Sequence, residues 1–260
     1  MTMNPTATTT DTTTGKPDHK VVSKSEWLRA RRDLLAKEKE LTRLSDEMAR
    51  LRQELPWTRV EKDYVFEGPK GKLHLADLFD GRCQLAVYHF MLGPDFAEGC
   101  PGCSHLVDSI DGVLEHVRAR NVSLVLVSTG SLASIAAFNK RMGWRLPWFS
   151  SAGSDFNHDF AVTFSKDEVA SGEKAYNFGT QPPYSEENPG LSYFYKDASG
   201  TIYHTYSTYA RGLDAFLPTY VILDRAPKGR DEGTAEAPMR WLKHHDKYQP
   251  TVQLGDSCCH

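Results

Sequence analysis

The chain has 260 residues, with 31 Lys and Arg against 34 Asp and Glu, a formal net charge of -3, 40% hydrophobic and 25% charged residues. That length holds one sizeable core with appendages rather than two full-sized domains, and the composition excludes collagen-like, wholly disordered and disulfide-scaffold classes. With no basic excess to neutralise a phosphate backbone, nucleic acid is not an expected partner, and with no apolar run near the ~20 residues that cross a bilayer, neither is a membrane.

Residues 1–20 are Thr-rich and almost without large apolar side chains, so ordering them would cost entropy with little burial to offset it, and they read as a disordered tail. They also lack the apolar centre of a secretory signal, which points to a cytoplasmic protein. Five cysteines, Cys83, Cys100, Cys103, Cys258 and Cys259, are an odd number in a fairly long chain. They fit redox chemistry or metal binding better than a structural disulfide framework.

Ser23-Lys24-Ser25-Glu26 has the form of a capping box and should open a helix. Trp27, Leu34, Leu41, Met48 and Leu55 recur every seven residues, with Ala30, Leu44 and Leu51 on the neighbouring seam, until Pro56 stops the pattern. The spacing predicts one long amphipathic helix over 21–55. It either lies across the main domain or pairs with a second copy of the chain as a homodimeric coiled coil, a reading that Lys37 in the seam weakens.

The main domain is expected over 56–226. Thr58–Glu67 alternates loosely and suggests a strand, with a turn at Gly68-Pro69-Lys70-Gly71. Gln84–Leu92 is a continuous apolar run of the kind buried on both faces of a sheet. After a short loop comes Cys100-Pro101-Gly102-Cys103, then a helical pattern over Ser104–Arg120, a buried-type strand at Val122–Val127 and another helix at Ser131–Met142. Strand, helix, strand and helix in that order imply parallel crossover units. Trp148–Val162 follows no clear period, and Glu173–Gly190 reads as a long surface loop. Leu191–Tyr195 and Thr201–Tyr206 flank a turn and read as an antiparallel hairpin. Residues 227–260 read as a weakly structured extension with one apolar patch at Met239–Leu242, and no internal repeat is present.

The C-x-x-C pair carries the chemistry, because it sits between a buried strand and a helix inside a crossover unit. Cys100 would cap the helix, Pro101 would take the first helical position, and Cys103 would lie one turn on. Cys100 would then face unpaired backbone N–H groups and the positive end of the helix dipole, which lowers a thiol pKa. A more acidic Cys100 attacks as thiolate and later leaves easily when Cys103 attacks it, so Cys100 is the nucleophile and Cys103 the resolving thiol.

The segments LADLFDGR, YHFMLGPD, GCPGCS, RMGWRLPW, GSDFNHDF, HTYSTYARGLD and HHDKY together resemble a bacterial family of thioredoxin-like, predicted dithiol-disulfide oxidoreductases, over about Val21 to Tyr248. The resemblance implies an α/β thioredoxin-like fold, a central mixed sheet flanked by helices on the peroxiredoxin-like side of the superfamily, with the redox pair at Cys100 and Cys103. Two features depart from the wider superfamily. Where a thiol peroxidase would have P-x-x-x-[TS]-x-x-C, this chain has Gly93 and Ala97 in the Pro and hydroxyl positions. Where thioredoxins place a cis-proline before the strand facing the redox pair, the matching residue is Leu191, with Pro189 upstream.

Other groups have weaker claims. Tyr88 or His89 would tune Cys100 if either pointed toward it, although strand aromatics usually belong to a core. The segment Tyr203–Arg211 is rich in hydroxyls, with His204 and Arg211, and would suit a pocket or an aromatic strand. His244-His245-Asp246 offers metal-type ligands but reads better as solvated tail, Asp155, Asn157, His158 and Asp159 would ligate a cation or, more commonly, cap a helix, and Cys83 reads as a small core or edge residue. The expected function is a thiol-disulfide oxidoreductase that needs no cofactor and acts on a protein or small-molecule thiol or disulfide. The rivals are a protein of the same fold holding copper(I) or zinc through the two thiolates and a histidine such as His204, and a non-catalytic partner-binding module.

Overall fold

The structure, a computed structural model, describes residues 19–232 and 239–249. Helix α1 (Lys24–Gln53) starts as the sequence predicts: the Glu26 N–H donates to Ser23 Oγ at 3.3 Å, and the Ser23 N–H donates to the Glu26 carboxylate at 3.1 Å. None of its residues is buried. Trp27 is 52% exposed, Leu41 67% and Leu44 53%, so the helix does not lie across the domain. Its base meets the body where the Arg52 guanidinium sits over the Tyr206 ring.

Eight strands form one sheet: β1 (Thr58–Arg59), β2 (Val65–Gly68), β3 (Gly71–His74), β4 (Gln84–His89), β5 (Val122–Ser128), β6 (Trp148–Ser150), β7 (Gly190–Lys196) and β8 (Ile202–Tyr209), in the order β1-β8-β7-β4-β5-β6-β2-β3. β4, β5 and β6 run parallel, and β7 and β8 form the antiparallel hairpin on the other side of β4. The crossovers carry α2 (Pro101–Ile110) with α3 (Leu114–Arg118), and α4 (Leu132–Met142). This is the mixed central sheet flanked by helices of a thioredoxin-like fold. Shorter helices α5 (Phe156–Asp159), α6 (Lys166–Ser171) and α7 (Pro218–Leu223) complete it.

Alternation along β4 divides the core. Ala86 and Tyr88 pack with Phe90, Leu106, Val107 and Phe138 beneath α2 and α4, while Leu85 and Val87 pack on the opposite face with Phe66, Phe79, Phe156 and Phe194. A strand covered on both sides reads as an apolar run, as Leu85–Tyr88 of β4 does.

Three sequence expectations are corrected. Thr58–Glu67 is not one strand: β1 pairs with β8 at one edge of the sheet, and β2 pairs with β6 and β3 at the other. Between them Val60 and Tyr64 pack into the second core as the chain crosses its face, which is why the alternation looked strand-like. The helix expected over Ser104–Arg120 breaks at 111–113 into α2 and α3 through a 3₁₀ turn. There the Asp111 carboxylate accepts the N–H groups of Arg145 and Leu146 at 2.7 and 3.1 Å, tying the break to a distant segment. The third concerns the C-terminal extension. Residues 239–249 contain one 3₁₀ turn, His245–Lys247, yet Leu242 and His244 are only 7% and 1% exposed, so His244 is not in a solvated tail.

The irregular stretch Trp148–Val162 supplies β6 and α5. Most of the expected N-terminal tail, along with Cys258 and Cys259, lies outside the described residues. No helix among the described residues is long and apolar enough to cross a membrane.

Candidate redox site

After β4 the chain turns back, and the Cys100 N–H donates to the Met91 carbonyl at 3.1 Å. Gly99 makes this path passable: a Cβ there would sit 2.7 Å from ring carbons of both Phe90 and Phe138, closer than carbon atoms approach. Cys100 is the N-cap of α2, Pro101 is its first residue, and Ser104 N–H closes the first helical bond to the Cys100 carbonyl at 2.9 Å. Pro101 costs nothing there because its missing N–H would have had no intrahelical partner.

Cys100 is partly exposed and Cys103 is 2% exposed. The Cys103 thiol donates to Cys100 Sγ, and the backbone N–H groups of Cys103 and Gly102 face the same sulfur. No cap bond of full geometry closes, but together these donors outweigh burial and hold Cys100 down to about 6. Burial, followed by the adjacent Cys100 sulfur, pushes Cys103 well above the usual thiol range, opposed by the Tyr88 hydroxyl and the Met91 N–H. The pair is thus split, with an acidic outer thiol and a protonated inner one.

Tyr88 reaches Cys103, not Cys100. Its hydroxyl is fully buried against that sulfur, and burial pushes its own pKa well up, so it remains a donor. His89, one residue on, faces the other side of the sheet. Its ring stacks on Phe156 with centroids 5.4 Å apart, Nε2 lies 2.9 Å from Ser192 Oγ, and burial lowers its pKa to about 3.

Two groups near the site gave no legible signal in the sequence, and a third was read there as tail. Tyr176 is buried, donates to the Pro189 carbonyl and accepts the Ala210 N–H at 3.0 Å, and lies close enough to Cys103 to feel its charge. Glu187, 5% exposed, packs under Gly93 in the loop that leads to Cys100. It accepts from Thr129 and Thr163 hydroxyls at 2.6 and 3.1 Å, and burial raises it to about 7.

The third is the segment 239–248, which straps over the start of α2. Arg141 can only donate, so His244 Nδ1 accepts from it at 2.9 Å, and Nε2 donates to the Gly99 carbonyl at 2.7 Å. Arg141 also grips Asp246 at 2.8 and 3.0 Å and Glu98 at 2.8 Å, while Lys247 reaches Glu98 at 2.6 Å. A Cβ at position 102 would lie 3.5 Å from the Met239 methyl.

The other sequence candidates are not gathered at the cysteines. His204 Nε2 is 2.7 Å from Ser207 Oγ, and its ring lies against Phe160 and Phe194, on the second core's side of the sheet. With Tyr209, Lys62 and Asp159 it lines a separate, open cavity of about 540 Å³. Asp155 and Asp159 hold Lys62 at 2.5 and 2.8 Å instead of capping a helix, and Cys83 accepts from Asn121 Nδ2 at 2.9 Å. Among the described residues no group of three His, Cys, Asp or Glu is placed to hold a metal ion.

The sequence model of a bacterial protein family of unknown function, DUF899, matches residues 16–248. No curated protein matches the sequence. Among solved structures, peroxidoxin BcpB from Mycobacterium tuberculosis is similar at 16% identity, covering 64% of this chain and 95% of that one with a TM-score of 0.43. A mutant of peroxiredoxin Q from Xanthomonas campestris is similar at 16% identity over 61% and 90%, TM-score 0.41. The mitochondrial 2-Cys peroxiredoxin from Plasmodium falciparum is similar at 12% identity over 65% and 94%, TM-score 0.39.

Proposed function

The chain belongs to DUF899, a bacterial family of unknown function, and from the geometry of its cysteine pair we propose that it is a thiol-disulfide oxidoreductase. The observation that carries the reading is the split between two touching sulfurs, one partly exposed and held to about 6, the other buried and pushed up. An inert pair of core thiols would have both pushed up by burial.

In the reductive direction the Cys100 thiolate attacks one sulfur of a substrate disulfide, forming a mixed disulfide and releasing the other sulfur as a thiolate. Cys103 then loses its proton and attacks Cys100 Sγ, the substrate's second sulfur departs as thiolate, and the pair is left as the Cys100–Cys103 disulfide. The substrate gains the two electrons the pair loses. Run backwards, the same steps oxidise a substrate dithiol. Tyr88 touches the reacting Cys103 sulfur and stabilises its thiolate by donating a hydrogen bond. The substrate is a protein or small-molecule thiol or disulfide, no cofactor takes part, and a reducing cytoplasm suits a pair that must be reopened after each turnover. Peroxide reduction is not part of the proposal, since Gly93 and Ala97 supply neither the proline nor the hydroxyl of a peroxidase loop.

The test is a redox titration of the metal-stripped protein against glutathione, with alkylated thiols at Cys100 and Cys103 counted by peptide mass spectrometry and a Cys100→Ser control. One two-electron couple shared by both sulfurs is expected. Thiols that stay reduced at every poise, in a protein that is purified with stoichiometric copper or zinc, would replace the redox reading with the metal-binding one.

A further inference from the structure

We propose that α1 is one half of a parallel, two-stranded coiled coil formed with a second copy of this chain. A helix of 30 residues with nothing buried is about 45 Å long, and most of its large apolar side chains form one stripe, with Leu28 and Leu35 outside it. Such a stripe marks an interaction surface. Trp27, Leu34, Leu41 and Met48 take the a positions of successive heptads, and Ala30, Lys37, Leu44 and Leu51 the d positions, with Leu55 just past the helix end. Sustained a and d heptads of this length are the pattern of a coiled-coil seam.

The flanking charges choose the partner and its direction. The g positions are Glu26, Asp33, Glu40, Glu47 and Glu54, all acidic, while the e positions are Arg31, Glu38, Ser45 and Arg52. An antiparallel pair would set g rows against each other, acid facing acid along the whole seam. A parallel pair sets each g position against the e position five residues on in the other helix. Glu26 then meets Arg31 of the partner subunit and Glu47 meets Arg52 of the partner subunit; Glu40 meets a neutral serine, and the Asp33–Glu38 pair is the one repulsion. A partner with this same sequence, aligned in the same direction, is therefore the complementary one.

Both arginines of that pairing also have contacts within the chain, Arg52 over the Tyr206 ring and Arg31 on Glu38, which the partner's acids would share. Glu26 uses Oε2 for the capping box, and Arg31 gives Nη2 to Glu38 at 2.8 Å within its own helix, so the partner's Glu26 would compete with Glu38 for that guanidinium. Lys37, the polar residue in the seam, turns its ammonium outward to Glu40 at 3.0 Å, so its stem packs while its charge stays wet. A single lysine of this kind fixes register at a cost in stability.

Light scattering on the full chain from low to high micromolar concentration should show a concentration-dependent shift toward twice the 29.2 kDa chain mass. The double substitution Leu41→Asp with Leu44→Asp should return the chain to a monomer without changing near-ultraviolet circular dichroism or the alkylation rate of Cys100. Lys37→Leu should tighten the dimer by roughly tenfold. Mild oxidation of Ala30→Cys should give a covalent dimer linked through position 30 in both copies, which only the parallel arrangement brings together. A monomer at every concentration, or a dimer indifferent to Leu41→Asp with Leu44→Asp, would overturn the proposal. A dimer that Ala30→Cys fails to link would overturn its parallel arrangement. None of these outcomes bears on the redox chemistry of Cys100, so the two readings fail separately.

Discussion

Cys100 shows how little chemistry separates an ordinary thiol from an acidic one. Its sulfur is largely shielded from water, which disfavours the thiolate, but the Cys103 thiol and two backbone N–H groups aim at it and win. The rate of Cys100 alkylation should therefore rise with pH to a plateau with its midpoint near pH 6, measured by stopped-flow or timed quench. In the proposed reaction the Tyr88 hydroxyl belongs to the second half. Tyr88→Phe removes a hydrogen bond to a forming thiolate, worth about 1.5–3 kcal/mol. It should slow resolution of a preformed Cys100–glutathione mixed disulfide about tenfold or more, while leaving the first alkylation of Cys100 nearly unchanged. Glu187 is the counter-case, a carboxyl that folding makes less acidic. Its folded pKa of about 7 lies above the ordinary 4.5, so the stability it allows is fully present below about pH 4.5 and is lost as pH rises through 7. At higher pH the loss is about 3 kcal/mol. Urea unfolding of Glu187→Gln should match the parent at low pH and gain on it progressively between pH 5 and 8.

Among the elements, the start of α2 depends on parts distant in sequence. The Gly99 carbonyl is held by His244 at 2.7 Å, and its α-carbon passes between Phe90 and Phe138. Gly99→Ala should destabilise the fold by about 1–3 kcal/mol through overpacking. His244→Ala, which leaves that buried carbonyl unpaired, should cost a similar ~1–3 kcal/mol, read as a shift of the urea midpoint. The strap is fastened mainly by charge, with Lys247 and then Arg141 holding Glu98 down to about 2. These pairs are mostly solvent-exposed and contribute position more than stability. The helix break at 111–113 is similar: the apolar periodicity of Ser104–Arg120 is real, but Asp111 takes two N–H groups from the segment after α4, and that contact is absent from any local pattern.

For the whole molecule, α1 and the sheet domain are nearly independent in their packing. A chain lacking residues 24–53 should keep its unfolding free energy within about 0.5 kcal/mol, measured at a dilution where the parent is monomeric. The sequence alone determined the capping box at Ser23, the buried strands at β4 and β5, the crossover order, the hairpin, and the placement of Cys100 and Cys103 at a helix start. Each of these is set by chemistry within a few residues, by period or by steric punctuation. Only the tertiary structure decided that Tyr88 serves Cys103 while His89 turns to the other core, because a strand's alternation says that neighbours face apart but not which face holds the site. It also decided that Thr58–Glu67 spans two edges of the sheet, that His204 stands away from the cysteines, and that His244 is buried on Gly99. These depend on pairings between segments tens to more than a hundred residues apart, and burial, which sets both the packing and the acidity of such groups, exists only once those segments have met.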